Sequence, residues 1–449
     1  MNLGETTVLV ERMGQDGDGV ARLSDGRLAF VSGALPGEVV DIRVTEERAR
    51  FVRAVPVRWR STSTERVQPP CPVYPACGGC VFQHWDYAAE LRYKEGRVKE
   101  AVARIAQGDA GLVEPIRPNA SPYGYRNKGQ FPFGRDGAKT TVGLYRRGSH
   151  TVVGTDRCAI QDALVNQVLG VAERLVNEVG LLPYDERTQE GVLRHLLIRT
   201  SEFQRRALVL LVAFRRDRRL LPLARALMDA VPAIHGVGVN VNSQRGNRVL
   251  GPETDLLAGE PYLLETILGL RFRLSFTSFF QVNPRQAAVL YELALGYLEP
   301  PVETVWDLYS GVGTLACLAA ARAKRVKAIE ILPEAVKDAQ ENVKLNGLTN
   351  VEVEVGAVER VIAAWIAQRS RAPDAVIVDP PRKGLDESVV EALRALQPRR
   401  IVYISCRPET WARDVSRLAP FYRLATVTPV DMFPRSDHVE LASLLERER

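Results

Sequence analysis

Residues 1–60 alternate apolar and polar positions in short runs, TTVLVERM, GRLAFVSG, EVVDIRVTEE and RFVRAVPVRW, parted by turn formers such as Asp16, Gly17, Gly19, Asp25, Gly26, Pro36 and Gly37. A period of two within runs this short predicts strands with one face inside and one in solvent, and several of them at even spacing predict a small β-barrel. A polar, proline-bearing stretch over 61–75 then reads as a linker. Over 85–106 the apolar positions recur at helical spacing, with Leu91, Val98, Val102 and Ile105 on one face, and predict an amphipathic helix whose stripe is available to a later domain.

Between 110 and 265 strand-like runs (VLRHLLIRTS, RALVLLVAF, GVGVNVNS) mix with a helical stretch over 160–179, which predicts a mixed α+β domain. From 302 the pattern becomes a regular succession of strand, loop and helix: TVWDLYSGVG, TLACLAAARA, RVKAIEIL, PEAVKDAQENVKLNG, NVEVEVG, DAVIVDPPRKG and RIVYISCRP. That succession predicts βαβ units in a doubly wound, Rossmann-like α/β domain. The expected division is therefore 1–60 for the barrel, 61–265 for the central domain and 266–449 for the α/β domain.

A chain of 449 residues with 46% hydrophobic and 25% charged residues is built for packed domains rather than disorder. No apolar run reaches the roughly 18 residues of a membrane span, and Glu5, Glu11 and Arg12 stand where a secretory leader would need an apolar stretch. A cytosolic protein with no membrane partner is expected, and there the six cysteines are mostly not disulfides. The net charge of +6 suits a polyanionic partner but is too small to decide the matter. Arg205, Arg206, Arg215, Arg216, Arg218 and Arg219 form either a solvated face or a phosphate-binding one.

Ligands of doubly wound sheets bind beyond the carboxyl ends of the strands. The strand TVWDL ends there in Tyr309, Ser310, Gly311, Val312 and Gly313, and the glycines let a backbone approach a ligand closely. Such a turn alone serves dinucleotides equally well. Glu330, closing the next strand, can accept hydrogen bonds from both hydroxyls of a ribose, although a purely structural carboxylate is the plainer alternative. With the third glycine of a dinucleotide loop missing, S-adenosylmethionine, a ribose without phosphates, fits better than NAD.

Cys406 follows the strand RIVYIS directly, at the level where chemistry occurs in this architecture, and the adjacent Arg407 is expected to favour its thiolate. An inert core cysteine is the alternative. Glu440 is a charge among apolar strand residues, so it is either a proton acceptor or one half of a salt bridge. Asp379, opening the DPPRKG segment, is expected to line the pocket between cofactor and base. Cys71, Cys77 and Cys80 with the distant Cys158 suggest a metal, and their spacing admits a four-thiolate zinc site or an iron-sulfur cluster.

FFQVNP at 279–284, DLYSGVG, DPPRKG, SCRP around Cys406 and DHVE ending in Glu440 occur in the order of a known family. Across nearly its whole length the chain resembles the RNA uridine-5-methyltransferases, which include bacterial ribosomal and transfer RNA enzymes, and its first residues resemble the OB-like, RNA-binding TRAM domain. The resemblance implies Cys406 as the nucleophile that adds to uracil carbon 6, because carbon 5 is too weak a nucleophile unaided. It implies Glu440 as the base that then removes the carbon-5 proton, and Gln281, Tyr309, Glu330 and Asp379, beside Gly311, as contacts to S-adenosylmethionine. It also implies a 4Fe-4S cluster on Cys71, Cys77, Cys80 and Cys158, structural or RNA-orienting in role.

By the same resemblance the YRNK motif, Arg126 to Lys128 with Tyr123 and Tyr125 beside it, faces RNA, and the target uridine is flipped out of its stack. Thr314 and Ala357 depart from the family's usual Asn and Asp and are not expected to touch the cofactor. A barrel together with a cysteine set looks like the enzymes of 23S rRNA, with tRNA as the other substrate and a monomer as the expected form. A non-catalytic RNA-binding or ribosome assembly factor is the reading from another class, and the pairing of Cys406 with Glu440 argues against it.

Overall fold

The computed structural model describes residues 6–298, 302–367 and 372–448. Five strands, β1 (Thr6–Met13), β2 (Gly19–Arg22), β3 (Leu28–Val31), β4 (Val39–Glu47) and β5 (Phe51–Ser61), close into a barrel in the order β1-β2-β3-β5-β4. The alternation of the sequence puts Val8, Val10, Ala21, Ala29, Val31, Val40, Ile42, Val52 and Ala54 inside it. Glu38 is fully buried at its edge and accepts hydrogen bonds from the guanidinium of Arg66 at 2.6 and 2.7 Å, which ties the barrel to the segment that follows.

Helix α1 (Tyr87–Ala101) starts where the Asp86 side chain accepts a hydrogen bond from the Ala89 N–H, and a wider turn extends it to Ala106. Val98, Ala101 and Val102 pack into the core of the C-terminal sheet. The apolar stripe read from the sequence is only partly right: Ile105 is exposed, and the buried positions nearer the helix start are Glu90 and Lys94. Lys94 Nζ donates to Glu90 Oε1 and Asp431 Oδ1, each at 2.7 Å, and to the Phe433 carbonyl at 3.0 Å. Buried charges persist only when paired this completely.

The central part contains β6 (Lys128–Asp136), β7 (Lys139–Tyr145), β8 (Val152–Gly154), α2 (Ala163–Val179), β9 (Leu193–Ser201), β10 (Arg206–Ala213), α3 (Leu220–Ala230), β11 (Ile234–Val241) and β12 (Glu253–Gly259). Its strands form one seven-stranded sheet, β12-β11-β10-β9-β6-β7-β8, with α2 and α3 packed on it through a shared apolar core. A hairpin, β13 (Tyr262–Ile267) and β14 (Leu270–Ser275), leads out of it.

The C-terminal part runs α4 (Pro284–Gly296), β15 (Val302–Leu308), α5 (Thr314–Ala319), β16 (Ala323–Glu330), α6 (Pro333–Leu345), β17 (Val351–Val355), α7 (Val358–Ala367), β18 (Ala375–Val378), α8 (Glu387–Leu396), β19 (Arg400–Ser405), α9 (Pro408–Leu418), β20 (Tyr422–Val430) and β21 (Glu440–Arg447). The sheet order is β17-β16-β15-β18-β19-β21-β20, parallel from β17 to β19, with β21 antiparallel to both β19 and β20. Every residue of β18 and β19 is buried, as strands covered by helices on both faces require. The order reverses between β15 and β18, which opens a crevice at their carboxyl ends. Among the described residues no helix is long and apolar enough to cross a membrane.

Candidate active site

Beyond β15 the backbone turns through three residues of positive φ, Tyr309 at 71°, Gly311 at 55° and Gly313 at 77°. Glycine takes this conformation at little cost; a tyrosine held there is strained, and such strain gathers at functional sites. The turn borders an open pocket, to which four of the residues singled out in the sequence, Gln281, Tyr309, Gly311 and Asp379, contribute. Phe280, Tyr291, Asp307 and Ser310 also line it, and so does Thr314, which corrects the expectation that Thr314 stays clear of the cofactor space. Glu330 is not part of the wall: its carboxylate accepts the Gly311 N–H at 3.0 Å and the Leu332 N–H at 2.9 Å, and so holds the turn from behind.

The cavity is acidic and underbonded. Neither carboxylate oxygen of Asp307, nor the Ser310 hydroxyl, has a hydrogen-bond partner of ordinary geometry. Burial, with the Asp379 carboxyl adding to it, raises the Asp307 pKa well above the usual range, and burial raises that of Asp379 to about 7. Buried acceptors without partners suit a ligand that brings donors and positive charge, as the ammonium and sulfonium of S-adenosylmethionine do, and would repel a pyrophosphate.

Asp379 joins this cavity to Cys406 and Glu440 beside it. Cys406 leaves the end of β19 half-buried, and burial together with the Glu440 and Asp379 carboxyls raises its pKa to about 11. Glu440, fully sequestered as the first residue of β21, is raised to about 8 by burial and by Asp379. The opposing cation at both groups is Arg382, from the DPPRKG segment, whose Nη2 lies 3.1 Å from His438 Nε2. Arg407 does not play the part its position in the sequence suggested, since its side chain turns to Glu409 at 3.8 Å. Adjacency along a strand end sends successive side chains to opposite faces, so a residue distant in sequence supplies the charge.

Three of the four upstream cysteines, Cys77, Cys80 and Cys158, hold their protons more tightly than a free thiol, chiefly because they are buried. Cys80 is pushed up to about 12 by burial with Cys158, Cys77 and Cys71 contributing, and Cys77 and Cys158 are also raised, chiefly by burial. The Gly79 N–H already points at Cys77 Sγ at 3.3 Å, and the Gln161 N–H donates to the Cys158 carbonyl at 3.2 Å. Among the described residues no three Cys, His, Asp or Glu side chains are grouped as ligands of a metal ion.

The YRNK region divides its labour differently from expectation. Tyr125 donates its hydroxyl to the Pro434 carbonyl at 2.9 Å, and the Tyr123 ring lies 4.9 Å from the Arg435 guanidinium carbon, so both tyrosines serve the fold. Lys128 stands directly across from Arg199 in the β6–β9 ladder. Burial, with Arg199 and Arg126 adding to it, lowers the Lys128 pKa to about 7, and Arg199 Nη1 is buried without a partner. Of the arginine cluster, Arg216 is paired with Asp255 at 2.5 Å, Arg219 with Asp217 at 2.7 Å, and Arg206 with the Pro232 carbonyl at 2.5 Å, which leaves less of it for a polyanion than the sequence implied.

Comparison with known proteins covers the whole chain. The sequence model of the family described as tRNA (Uracil-5-)-methyltransferase matches residues 266–448, and that of the TRAM domain matches residues 4–57. An RNA methyltransferase of Halalkalibacterium halodurans is 38% identical over 445 residues, 98% of this chain and 96% of the relative. One from Gloeobacter violaceus is 39% identical over 449 residues, 99% of this chain and 97% of the relative. The crystal structure of Pyrococcus abyssi tRNA (uracil-54, C5)-methyltransferase in complex with S-adenosyl-L-homocysteine is 27% identical, covers 98% of this chain and 99% of its own, and superposes with a TM-score of 0.79.

Proposed function

Because the chain belongs to the RNA uracil-5-methyltransferase family, whose members transfer a methyl group from S-adenosylmethionine to uracil in RNA, we propose that Cys406 and Glu440 carry this reaction on a uridine of 23S rRNA. The observation that supports the assignment of residues is the position of Asp379, which walls the cofactor cavity and interacts electrostatically with both Cys406 and Glu440. Gln281, Tyr309, Gly311, Asp307 and Asp379 would hold S-adenosylmethionine, with Glu330 acting through the turn it supports. When bound, that cofactor supplies an electrophilic methyl group.

The thiolate of Cys406 adds to uracil carbon 6, and the displaced π electrons move through carbon 5 to the carbon-4 carbonyl oxygen as an enolate. Carbon 5 of the enolate would take the methyl group as the methyl–sulfonium bond breaks and its electrons stay on the departing thioether sulfur, leaving a tetrahedral carbon with one proton to lose. Glu440 accepts that proton, the electrons of the carbon–hydrogen bond rebuild the double bond, and the carbon 6–sulfur bond breaks to return Cys406. Arg382 faces both groups and offsets the negative charge that collects among them. Phe279, 67% exposed at the cavity mouth, offers a ring on which a flipped base can stack.

Like charges set directly opposite across a ladder are destabilising without an anion between or beside them. Arg199 is buried, so Lys128 is the member of the pair proposed to meet an RNA phosphate flanking the flipped nucleotide. A 4Fe-4S cluster on Cys71, Cys77, Cys80 and Cys158 completes the proposal, supported by the spacing of the cysteines in the sequence and by the Gly79 N–H already directed at the Cys77 sulfur. Protein purified without air is expected to be brown and to contain iron; a colourless, zinc-loaded preparation overturns this assignment.

The barrel and the cysteine set favour 23S rRNA, and the full-length match to a transfer RNA enzyme is the specific observation that favours tRNA as the second reading. The enzyme is proposed to act as a monomer in the cytosol. Mapping 5-methyluridine in both RNA classes from cells with and without this protein decides: loss of a site in 23S rRNA is the expected result, and loss confined to tRNA reverses the choice.

A further inference from the structure

Glu440 is held from two sides. Its own strand fixes the backbone, since it pairs with Val430 across the β20–β21 ladder. The connection that delivers it, residues 431–439, has no strand or helix of its own and is held by segments more than three hundred residues upstream.

Arg435 is the centre of that attachment. It is 5% exposed and adopts a positive φ of 68°, unfavourable for a residue with a long side chain. Its amide donates to Glu90 Oε1 at 2.7 Å, and its Nη1 donates to the Trp85 carbonyl at 2.8 Å and to Glu90 Oε2 at 3.3 Å. The guanidinium lies between the rings of Tyr87 and Tyr123, 5.2 and 4.9 Å from their centres. In return the Arg435 carbonyl accepts the N–H groups of Val81 at 2.8 Å and Phe82 at 3.1 Å, the two residues that follow Cys80. Lys94 holds Asp431 and the Phe433 carbonyl, and Arg97 Nη1 holds the Asp437 carbonyl at 2.5 Å.

We propose that Arg435 is a positioning residue that fastens the connection carrying Glu440 to the segment bearing Cys71, Cys77 and Cys80, so that the order of that segment sets the placement of the proton-accepting carboxylate. The proposal rests on the assignment of Cys406 and Glu440 given above. It gives the cysteine site a definite task in a reaction that needs no electron transfer. Proton removal from the methylated adduct depends on the placement of Glu440, whereas attack by Cys406 depends on β19, which the connection does not carry. A loosened connection therefore slows release more than attack.

The test uses the full-length protein and an unmodified transcript of the RNA that the mapping identifies, in single-turnover reactions with S-adenosylmethionine. Arg435→Gln is expected to lower the rate of methylated RNA release on the order of 100-fold, the scale of an ångström-sized misplacement, while RNA affinity stays unchanged and a denaturant-resistant protein–RNA adduct accumulates. Cys80→Ser is expected to produce the same division, and Arg435→Lys to restore part of the rate. Release at the unaltered rate in Arg435→Gln, or adduct and product lost together, overturns the proposal. Should Arg435→Gln not fold, Arg435→Lys, which keeps the charge but not the planar fork, carries the same readouts. An RNA containing 5-fluorouridine separates this from the underlying assignment: if the unaltered protein forms no stable adduct with it, the role of Cys406 fails; if it does and the Arg435 variants release normally, only the positioning role fails.

Discussion

Cys406→Ala is expected to lower methyl transfer by at least about 10⁴-fold, the scale seen when a nucleophile is removed from a covalent mechanism. The carbon–carbon double bond of uracil does not attack a methyl group until electron density is delivered to carbon 5, and the proposed delivery route is addition of the Cys406 sulfur at carbon 6. In the free protein that sulfur is poorly prepared, since burial and the Glu440 and Asp379 carboxyls raise its pKa to about 11. A thiolate formed against such opposition is a strong nucleophile once the complex shelters it, because nucleophilicity rises with basicity. Cofactor and RNA binding are expected to persist in the variant, as alanine leaves the cavity walls and Lys128 untouched. Methylation at the unaltered rate, measured by transfer of labelled methyl groups to RNA, would remove Cys406 from the mechanism and return the site to a plain binding role.

The strands proposed to carry the chemistry stood out in the sequence because each is bounded by a residue type that its pattern cannot explain. RIVYIS gives way to Cys406, and the apolar run of β21 opens with Glu440, so the break in periodicity marks the residue. Asp307 escaped notice for the opposite reason. It sits inside TVWDL, two residues before the turn, where one polar position in a buried strand reads as a pleat detail; only its unpartnered oxygens in the cavity reveal it. Arg382 was passed over in favour of Arg407 because sequence proximity stood in for spatial proximity. The helix before the central sheet misled similarly, since a stripe of Leu91, Val98, Val102 and Ile105 satisfies the periodicity while the residues actually sequestered include Glu90 and Lys94. Besides each other, their partners are Asp431 and Arg435, more than three hundred residues away, and no local pattern announces burial that depends on such distant pairing.

Glu440→Gln is expected to stop the cycle after methyl transfer, with turnover lowered about 10²- to 10⁴-fold, the ordinary contribution of a positioned base. The amide fills the space of the carboxyl but cannot accept the carbon-5 proton, so methylated RNA stays bound through the carbon 6–sulfur bond as a denaturant-resistant adduct. Attack is expected to be no slower than in the unaltered protein, because the substitution removes one of the carboxyls that raise the Cys406 pKa. The pH dependence follows from the same groups. Glu440, raised to about 8, holds its proton below that value and becomes a base above it, so release accelerates as pH rises through 8 in the unaltered protein. That limb is expected to disappear in the variant, while the limb belonging to the Cys406 thiol, near 11, has the same sign and persists in the adduct-forming step. If Glu440→Gln releases 5-methyluridine RNA at the unaltered rate, another group removes the proton, and Asp379, which lines the adjoining cavity and is raised to about 7 by burial, is the residue to substitute next.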